Sequence, residues 1–353
     1  MDLGKALLNH TDSISPSLEG NHASYQSQLL DWVAGAGFVK VDVSERELTV
    51  REKYFRFGVQ GIDGSGKVYV GFGRSKDRLT AATIAACEMI ERYVSRGAFR
   101  QSHELNAPFT VRVDDGAFDL SLSSNHASFP SVGMRSSNGW AVHFSAETAI
   151  ENAVREALER HILLLTYLKY GWSGFWFDEV VPFESVSLRP GIARISAGGF
   201  KAGIVLTEGK DALGMTFGYL CRKANGFEAS TKWLSAFFES YEQWVDLAKC
   251  DEPKTKSVIE KYQWHFWKEP RPVLPASTAL VLKHGAVCGN IAVYNLQVAL
   301  GCPVPLYAAF AFGRDFVPLF FKQKLSQLEQ IELSNLLKLH GLNVELPEYH
   351  PIL

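Results

Sequence analysis

The sequence lacks the marks of a thiolate-metal protein, a disulfide-built protein or a membrane protein. Its five cysteines, at 87, 221, 250, 288 and 302, make no C-x-x-C pair and are odd in number. This fits free thiols in a reducing compartment. The ten histidines form no H-x-x-x-H and do not cluster with cysteine, so a zinc site has no support. Charge of either sign is not in excess: 36 Lys and Arg stand against 38 Asp and Glu. No general attraction to nucleic acid or anionic lipid follows. No apolar run reaches the length of a membrane span, and the nearest, Val304 to Phe312, reads as a buried strand. The start, Met1-Asp2-Leu3-Gly4-Lys5 to Asn9-His10-Thr11-Asp12, has no apolar core of a signal peptide. A cytoplasmic protein with neither membrane nor nucleic-acid partner is expected.

Two further motifs are missing. No G-x-G-x-x-G opens a helix, so no dinucleotide site is argued. Gly171-Trp172-Ser173-Gly174 is one residue short of a nucleophile elbow and follows a helix rather than a strand.

What is present is an ordinary globular composition, 46% hydrophobic and 21% charged, with 23 Phe and 8 Trp to fill a core. Residues 1–24 are polar and read as a loose arm. No linker-like stretch follows, so residues 25–353 read as one domain. Alternating strands with short hairpin turns recur between helices, at Val39–Val43, Tyr54–Val59, Lys67–Phe72, Phe109–Val113, Phe118–Leu122, Gly203–Thr207, Met215–Leu220, Thr278–Leu282, Ile291–Leu296 and Leu306–Phe312. The expected fold class is α/β of the α+β type, with mostly antiparallel sheets packed on helices.

One frame, A-x-x-E-x-x-E-[R/Q], occurs three times: from Ala85 through Glu88 and Glu91 to Arg92, from Ala153 through Glu156 and Glu159 to Arg160, and from Ala236 through Glu239 and Glu242 to Gln243. Each copy sits in a run of helical spacing, and i and i+3 share a helix face. Each helix therefore offers two carboxylates side by side and a hydrogen-bond donor after them. The small residues Ala81, Ala85, Ala149, Ala153 and Ala236 allow close approach, so the three faces are expected to converge. Converging carboxylates need a hard cation, and Mg2+ takes carboxylates together with substrate phosphates. Arg92 and Arg160 suit phosphate as well.

The segments around these helices sharpen the reading. Gly61-Ile62-Asp63-Gly64-Ser65-Gly66-Lys67 has P-loop spacing, but Val68 stands where that loop needs Ser or Thr, and a strand follows. A hairpin turn is expected instead. Gly73-Arg74-Ser75-Lys76-Asp77-Arg78 reads as a basic turn before the first acidic helix, able to cradle phosphate through Arg74 and Lys76. Ser145 is a natural N-cap for the second, which is expected to end before Gly171. The third should span about 227–247, and a last helix about 324–340.

These helices and their leaders resemble the YcaO family. Its first signature appears as Gly73-Arg74-Ser75, the run through Ala81-Ala82, then Glu88, Glu91 and Arg92; its second as Ser137-Asn138-Gly139, then Glu156, Glu159 and Arg160. The third is matched loosely by Glu239 and Glu242. Within the family the chain looks closest to the YcaO subunit of microcin B17-type azole synthetases, through Ile162-Leu163-Leu164-Leu165 with Tyr167-Leu168, and Tyr262-Gln263-x-His265-Phe266.

The resemblance implies a cyclodehydratase using ATP and Mg2+ on a ribosomally made precursor peptide. Cys, Ser or Thr would become thiazoline or oxazoline through phosphorylation of the preceding amide oxygen. Glu88, Glu91, Glu156, Glu159, Glu239 and Glu242 would hold metal. Arg74, Lys76, Ser137, Asn138, Gln243, Arg92 and Arg160 would contact nucleotide, the last two also stabilising developing charge. Such subunits work with an E1-like leader-binding protein and often an FMN-dependent dehydrogenase. The chain departs from the pattern in Arg74 for Lys, in Gln243, and in ending Leu346-Pro347-Glu348-Tyr349-His350-Pro351-Ile352-Leu353 rather than in Pro-x-Pro-x-Pro. Thioamide or amidine formation, or a non-catalytic scaffold role, stays open.

Overall fold

A computed structural model describes residues 22–35, 38–50, 52–96, 105–114, 117–122, 139–170, 181–183, 186–188, 195–197, 200–208, 213–222, 286–312, 316–317 and 325–346. Helix α1 (His22–Gly35) leads into the antiparallel strands β1 (Lys40–Val50), β2 (Glu52–Ile62) and β3 (Val68–Ser75), paired in that order. The β2–β3 turn settles the P-loop question. Asp63 Oδ1 accepts from Ser65 N at 2.8 Å and Lys67 N at 3.0 Å, and Oδ2 accepts from the Tyr69 hydroxyl at 2.8 Å. The amides that would cradle a phosphate are wrapped around the chain's own carboxylate. The Ser65 hydroxyl also donates to Oδ1, at 2.6 Å, and that bond first, with the Tyr69 and backbone bonds, holds the Asp63 carboxyl down at about 2.

Strand β3 runs through Ser75, so only Lys76 and Asp77 turn the chain into helix α2 (Arg78–Arg96). The expected basic turn at Gly73 and Arg74 is strand instead, because both residues pair with β2, as Phe57↔Gly73 and Arg56↔Arg74. Asp77 caps the helix: its Oδ2 accepts from Thr80 N at 2.7 Å. α2 then lies directly on β3. A Cβ at Gly71 would collide with Ala85 O and Met89 N, and one at Gly73 with Ala81 O and Ala85 N. Two glycines on one strand face and two alanines one turn apart on the helix form a seam without side chains between the backbones.

The central sheet has the order β5–β4–β12–β13–β6, all neighbours antiparallel, built from β4 (Leu105–Asp114), β5 (Ala117–Leu122), β6 (Trp140–His143), β12 (Ala286–Asn295) and β13 (Tyr307–Phe312). One face carries Trp140, Val142, Ala292, Tyr294, Ala308, Phe310 and Phe312, which share a core with Ala81, Ala85, Ala86 and Met89 of α2. Trp140 stacks on Phe310 at 4.7 Å and on Tyr294 at 5.6 Å. Side chains alternate along a strand, so Ala141, Ala309, Ala311, Ile291 and Val293 face the other way. There helix α3 (Ala146–Tyr170) packs on β13 and β6, burying Ala149, Ala153, Val154, Leu158 and Ile162. The small residues of the repeated frame thus seat two helices on sheets, where convergence of helix on helix was expected.

Smaller pieces complete the described fold: β7 (Val181–Phe183) with β8 (Val186–Leu188), the sheet β11–β10–β9 of β9 (Ile195–Ala197), β10 (Phe200–Glu208) and β11 (Leu213–Arg222), the short α4 (Leu296–Leu300) and α5 (Gln327–Leu339). α5 opens with a capping box between Ser326 and Glu329. Among the described residues every strand pairing is antiparallel, as the hairpin pattern implied. The third acidic helix, the aromatic run 262–267, the strand at 278–282 and the tail from 347 lie outside the described residues. Among the described residues no helix is long and apolar enough to cross a membrane.

Candidate active site

The two described helices of the acidic frame pack on opposite faces of the central sheet, and both touch its edge strand β6. Gly139 marks the place. Its φ of 78° favours glycine, and a Cβ there would strike Ala311 O and come within 3.4 Å of the Ala157 methyl on α3. Its carbonyl accepts from Ala311 N at 2.7 Å, which pins the start of the edge strand. The close fit brings this chain entry, next in sequence to Ser137 and Asn138, against the helix turn that bears Glu156.

On α2, Glu88 is held from two sides. Its Oε2 accepts from the backbone N–H of Phe72 at 2.6 Å, and its Oε1 accepts from Arg92 at 2.5 Å. The first bond exists because the Gly71–Gly73 seam lets the helix approach β3. The second is the i,i+4 geometry of a helix with acid before base. On α3, Arg160 Nη1 lies 3.1 Å from Glu159 Oε1 and Nη2 lies 3.9 Å from Glu156 Oε1. The five side chains of these pairs are only 13% to 33% exposed, so their charges are less screened than those of a surface pair.

Glu91 joins the two groups. Burial pushes its carboxyl well above the ordinary carboxylate range. The negative charges of Glu156 and Glu88 push it further, and Arg92 and Arg160 partly offset them. A glutamate of α2 therefore senses the carboxylate and the guanidinium of α3. Among the described residues no three His, Cys, Asp or Glu side chains stand close enough together to hold a metal ion, and arginines pair with Glu88, Glu156 and Glu159.

The other expected site residues divide in two. Glu239, Glu242, Gln243, Ser137 and Asn138 lie outside the described residues. Arg74 and Lys76 are described: Arg74 stands on the β3 face opposite the one seated on α2, and the Lys76 ammonium lies 5.8 Å from the Tyr54 ring centre. Beside Glu88, burial first, then the Glu91 charge and Cys302, push the Cys87 thiol up to about 12. Sequence reasoning missed the Phe72 amide, which has no side-chain signature. The alternating Gly71 and Gly73 were the available hint.

The chain is similar in structure to two solved proteins. One is YcaO from Methanopyrus kandleri, bound with AMPPCP and Mg2+, at 12% identity and a TM-score of 0.46 over 82% of this chain and 91% of that one. The other is a heterocyclase in complex with substrate and cofactor, at 13% identity and a TM-score of 0.46. That match covers 88% of this chain and 55% of the heterocyclase. No protein-family model matches the sequence, and no curated protein does.

Proposed function

We propose that the chain is a YcaO-type enzyme that uses ATP and Mg2+ to modify the backbone of a ribosomally made peptide. The observation that carries this reading is a pair of acid–arginine groups on two helices, Glu88 with Arg92 and Glu156 and Glu159 with Arg160, whose charges both act on Glu91. Glu88, Glu91, Glu156 and Glu159 would hold magnesium, with Glu239 and Glu242 of the third repeat completing the set. Bound Mg2+ would neutralise phosphate charge and favour transfer of the terminal phosphoryl group.

The protein's own groups have defined work in this scheme. The Phe72 amide and Arg92 hold Glu88 in place, each donating to one of its two carboxylate oxygens. Arg160 and Arg92 stand ready to exchange a carboxylate partner for phosphate oxygens as charge develops. Ser137, Asn138, Gln243, Arg74 and Lys76 are assigned to the nucleotide on the sequence resemblance.

The finer reading is a cyclodehydratase subunit of the microcin B17 type. The side-chain sulfur or oxygen of Cys, Ser or Thr, giving up its proton to base, attacks the preceding amide carbon. The oxyanion so formed takes the terminal phosphoryl group of ATP, giving ADP. Departure of phosphate, with loss of the nitrogen proton, leaves a thiazoline or oxazoline, one water lighter. An E1-like protein would deliver the leader segment and an FMN-dependent dehydrogenase would oxidise the ring. The reading places the work in the cytoplasm.

High-resolution mass spectrometry tests it. The precursor peptide encoded beside this chain is incubated with ATP, Mg2+ and the neighbouring proteins, with and without the chain. Loss of one water per ring at Cys, Ser or Thr, dependent on the chain, is expected. Exchange of oxygen for sulfur would replace azoline by thioamide formation. An unchanged peptide with unhydrolysed ATP would refute the enzymatic reading.

A further inference from the structure

Strand β3 is an open sheet edge beside the acidic cluster. Among the described residues it pairs with β2 and with no other strand. In an antiparallel ladder alternate residues turn their N–H and C=O toward the neighbour, and the residues between them turn away. Phe72 gives its N–H to Glu88 at 2.6 Å and not to β2, so Phe72 is one of those that turn away. By the same alternation Val70 does so too. The Phe72 carbonyl and both backbone groups of Val70 have no hydrogen-bond partner among the described residues. Val70 and Phe72 are half-buried and Val68 is 41% exposed, so solvent reaches this edge. Neither the far edge of this sheet nor the β6 edge of the central sheet is open in this way. β1 carries Lys40, Asp42, Glu45, Arg46 and Glu47, with ion pairs from Lys40 to Asp42 at 2.7 Å and from Lys53 to Glu47 at 2.6 Å. Charge of this kind guards an edge against a further strand. On β6, Gly139 bonds Ala311 of β13, so Trp140 and Val142 turn outward, yet they are only 3% and 9% exposed. From Val68 to Gly73, β3 has neither charge nor proline.

An unguarded edge takes an extended peptide as an added strand, through main-chain bonds that ask little of its sequence. The position of Glu88 ties that strand to the chemistry. Its carboxylate already takes the outward N–H of Phe72. An added strand therefore bonds Val70 and the Phe72 carbonyl, and the regular ladder stops there. The next backbone amide of that strand then stands at Glu88. We propose that β3 holds the precursor peptide as an added strand, and that the end of this short ladder sets the amide to be modified beside the acidic cluster. This rests on the peptide-modifying reading above and adds where the peptide lies. A second copy of the chain fits the edge less well, because two copies paired there about a two-fold axis would bring their Glu88 carboxylates together.

Hydrogen–deuterium exchange of the full chain, assembled with its neighbouring proteins, tests it with the precursor peptide encoded beside the chain as the probe. Bound peptide should slow exchange of the Val70 amide by about ten-fold or more, as for a newly formed backbone bond, and leave the amides of β1 unchanged. Val70→Pro removes the outward N–H and spares the β2–β3 ladder, a position that proline tolerates on an edge strand. It should raise the KM for the peptide by about ten-fold, the scale of one backbone hydrogen bond, with kcat and Mg-AMPPCP binding at wild-type values. Where that variant unfolds, the exchange measurement on the wild type decides. An unprotected Val70 amide in a system that modifies the peptide overturns the added strand and spares the enzymatic reading, as does a wild-type KM in folded Val70→Pro. Protection of Val70 that needs no peptide and grows with chain concentration assigns the edge to a second copy and overturns the proposal. An unmodified peptide with unhydrolysed ATP refutes the enzymatic reading and the proposal with it.

Discussion

Glu88 on helix α2 accepts a hydrogen bond from the backbone N–H of Phe72 on strand β3, at 2.6 Å. A side chain that short reaches a strand amide only when helix and strand nearly touch. Gly71 and Gly73 on one side and Ala81 and Ala85 on the other make that contact. The seam therefore sets where the first acidic pair stands.

Gly71→Ala should break this relationship. The added methyl meets two backbone atoms of α2, which cannot yield as a side-chain tip can. A loss of about 1–3 kcal/mol is expected, the usual range for overpacking, with weaker Mg2+-dependent nucleotide binding. Urea unfolding checks the first and calorimetry the second. A Gly64→Ala control, in open space, should change neither.

Removing charge from the acidic pairs should separate chemistry from folding. Glu88→Gln and Glu159→Gln keep the shape of the side chain, and each position is only part-exposed. ATP turnover in the assembled system is expected to fall by about 100-fold or more, as for loss of a principal electrostatic group, with far-ultraviolet circular dichroism unchanged. Retained peptide modification in both variants would contradict the assignment.

His161 gives the protein a pH-dependent element away from the acids. Its Nδ1 accepts from Val317 N at 3.0 Å, so the neutral ring carries its proton on Nε2, which finds no acceptor among the described residues. Burial, and then the nearby His340, hold its pKa well below the ordinary histidine range. The native state keeps the ring neutral while the unfolded chain protonates near 6.5. Its contribution is thus full above that pH and is lost as pH falls below it. His161→Asn, which retains an acceptor, should flatten the decline in stability between pH 7 and 5. The wild-type slope from this group is at most about 1.4 kcal/mol per pH unit. Equal slopes in urea midpoints would refute the burial argument.

Local chemistry made much of the fold legible in the sequence. Asp63 followed by Gly64, Ser65 and Gly66 announced a hairpin, and the amides do close on Asp63. Ser145 and the helical run after it foretold α3 to its last residue, Tyr170. Nonlocal facts were not legible. Strands β4 and β12 pair Leu105 with Val293, a contact no spacing rule implies. The open edge at Val70 and Phe72 exists only once the strand order and register are known. At the site, the helices and their carboxylates were readable from i and i+3 spacing, while the seating of α2 depended on Gly71, read only as part of a strand, and on Gly73, read as the start of a turn.

The most direct test is equilibrium binding of AMPPCP to the isolated chain, with and without Mg2+, in wild type and Glu91→Gln. The account predicts metal-dependent binding in the wild type and its loss in the variant, because Glu91 stands where the charges of α2 and α3 meet. Equal binding by both proteins, or binding by neither, would contradict a magnesium–nucleotide site at this cluster.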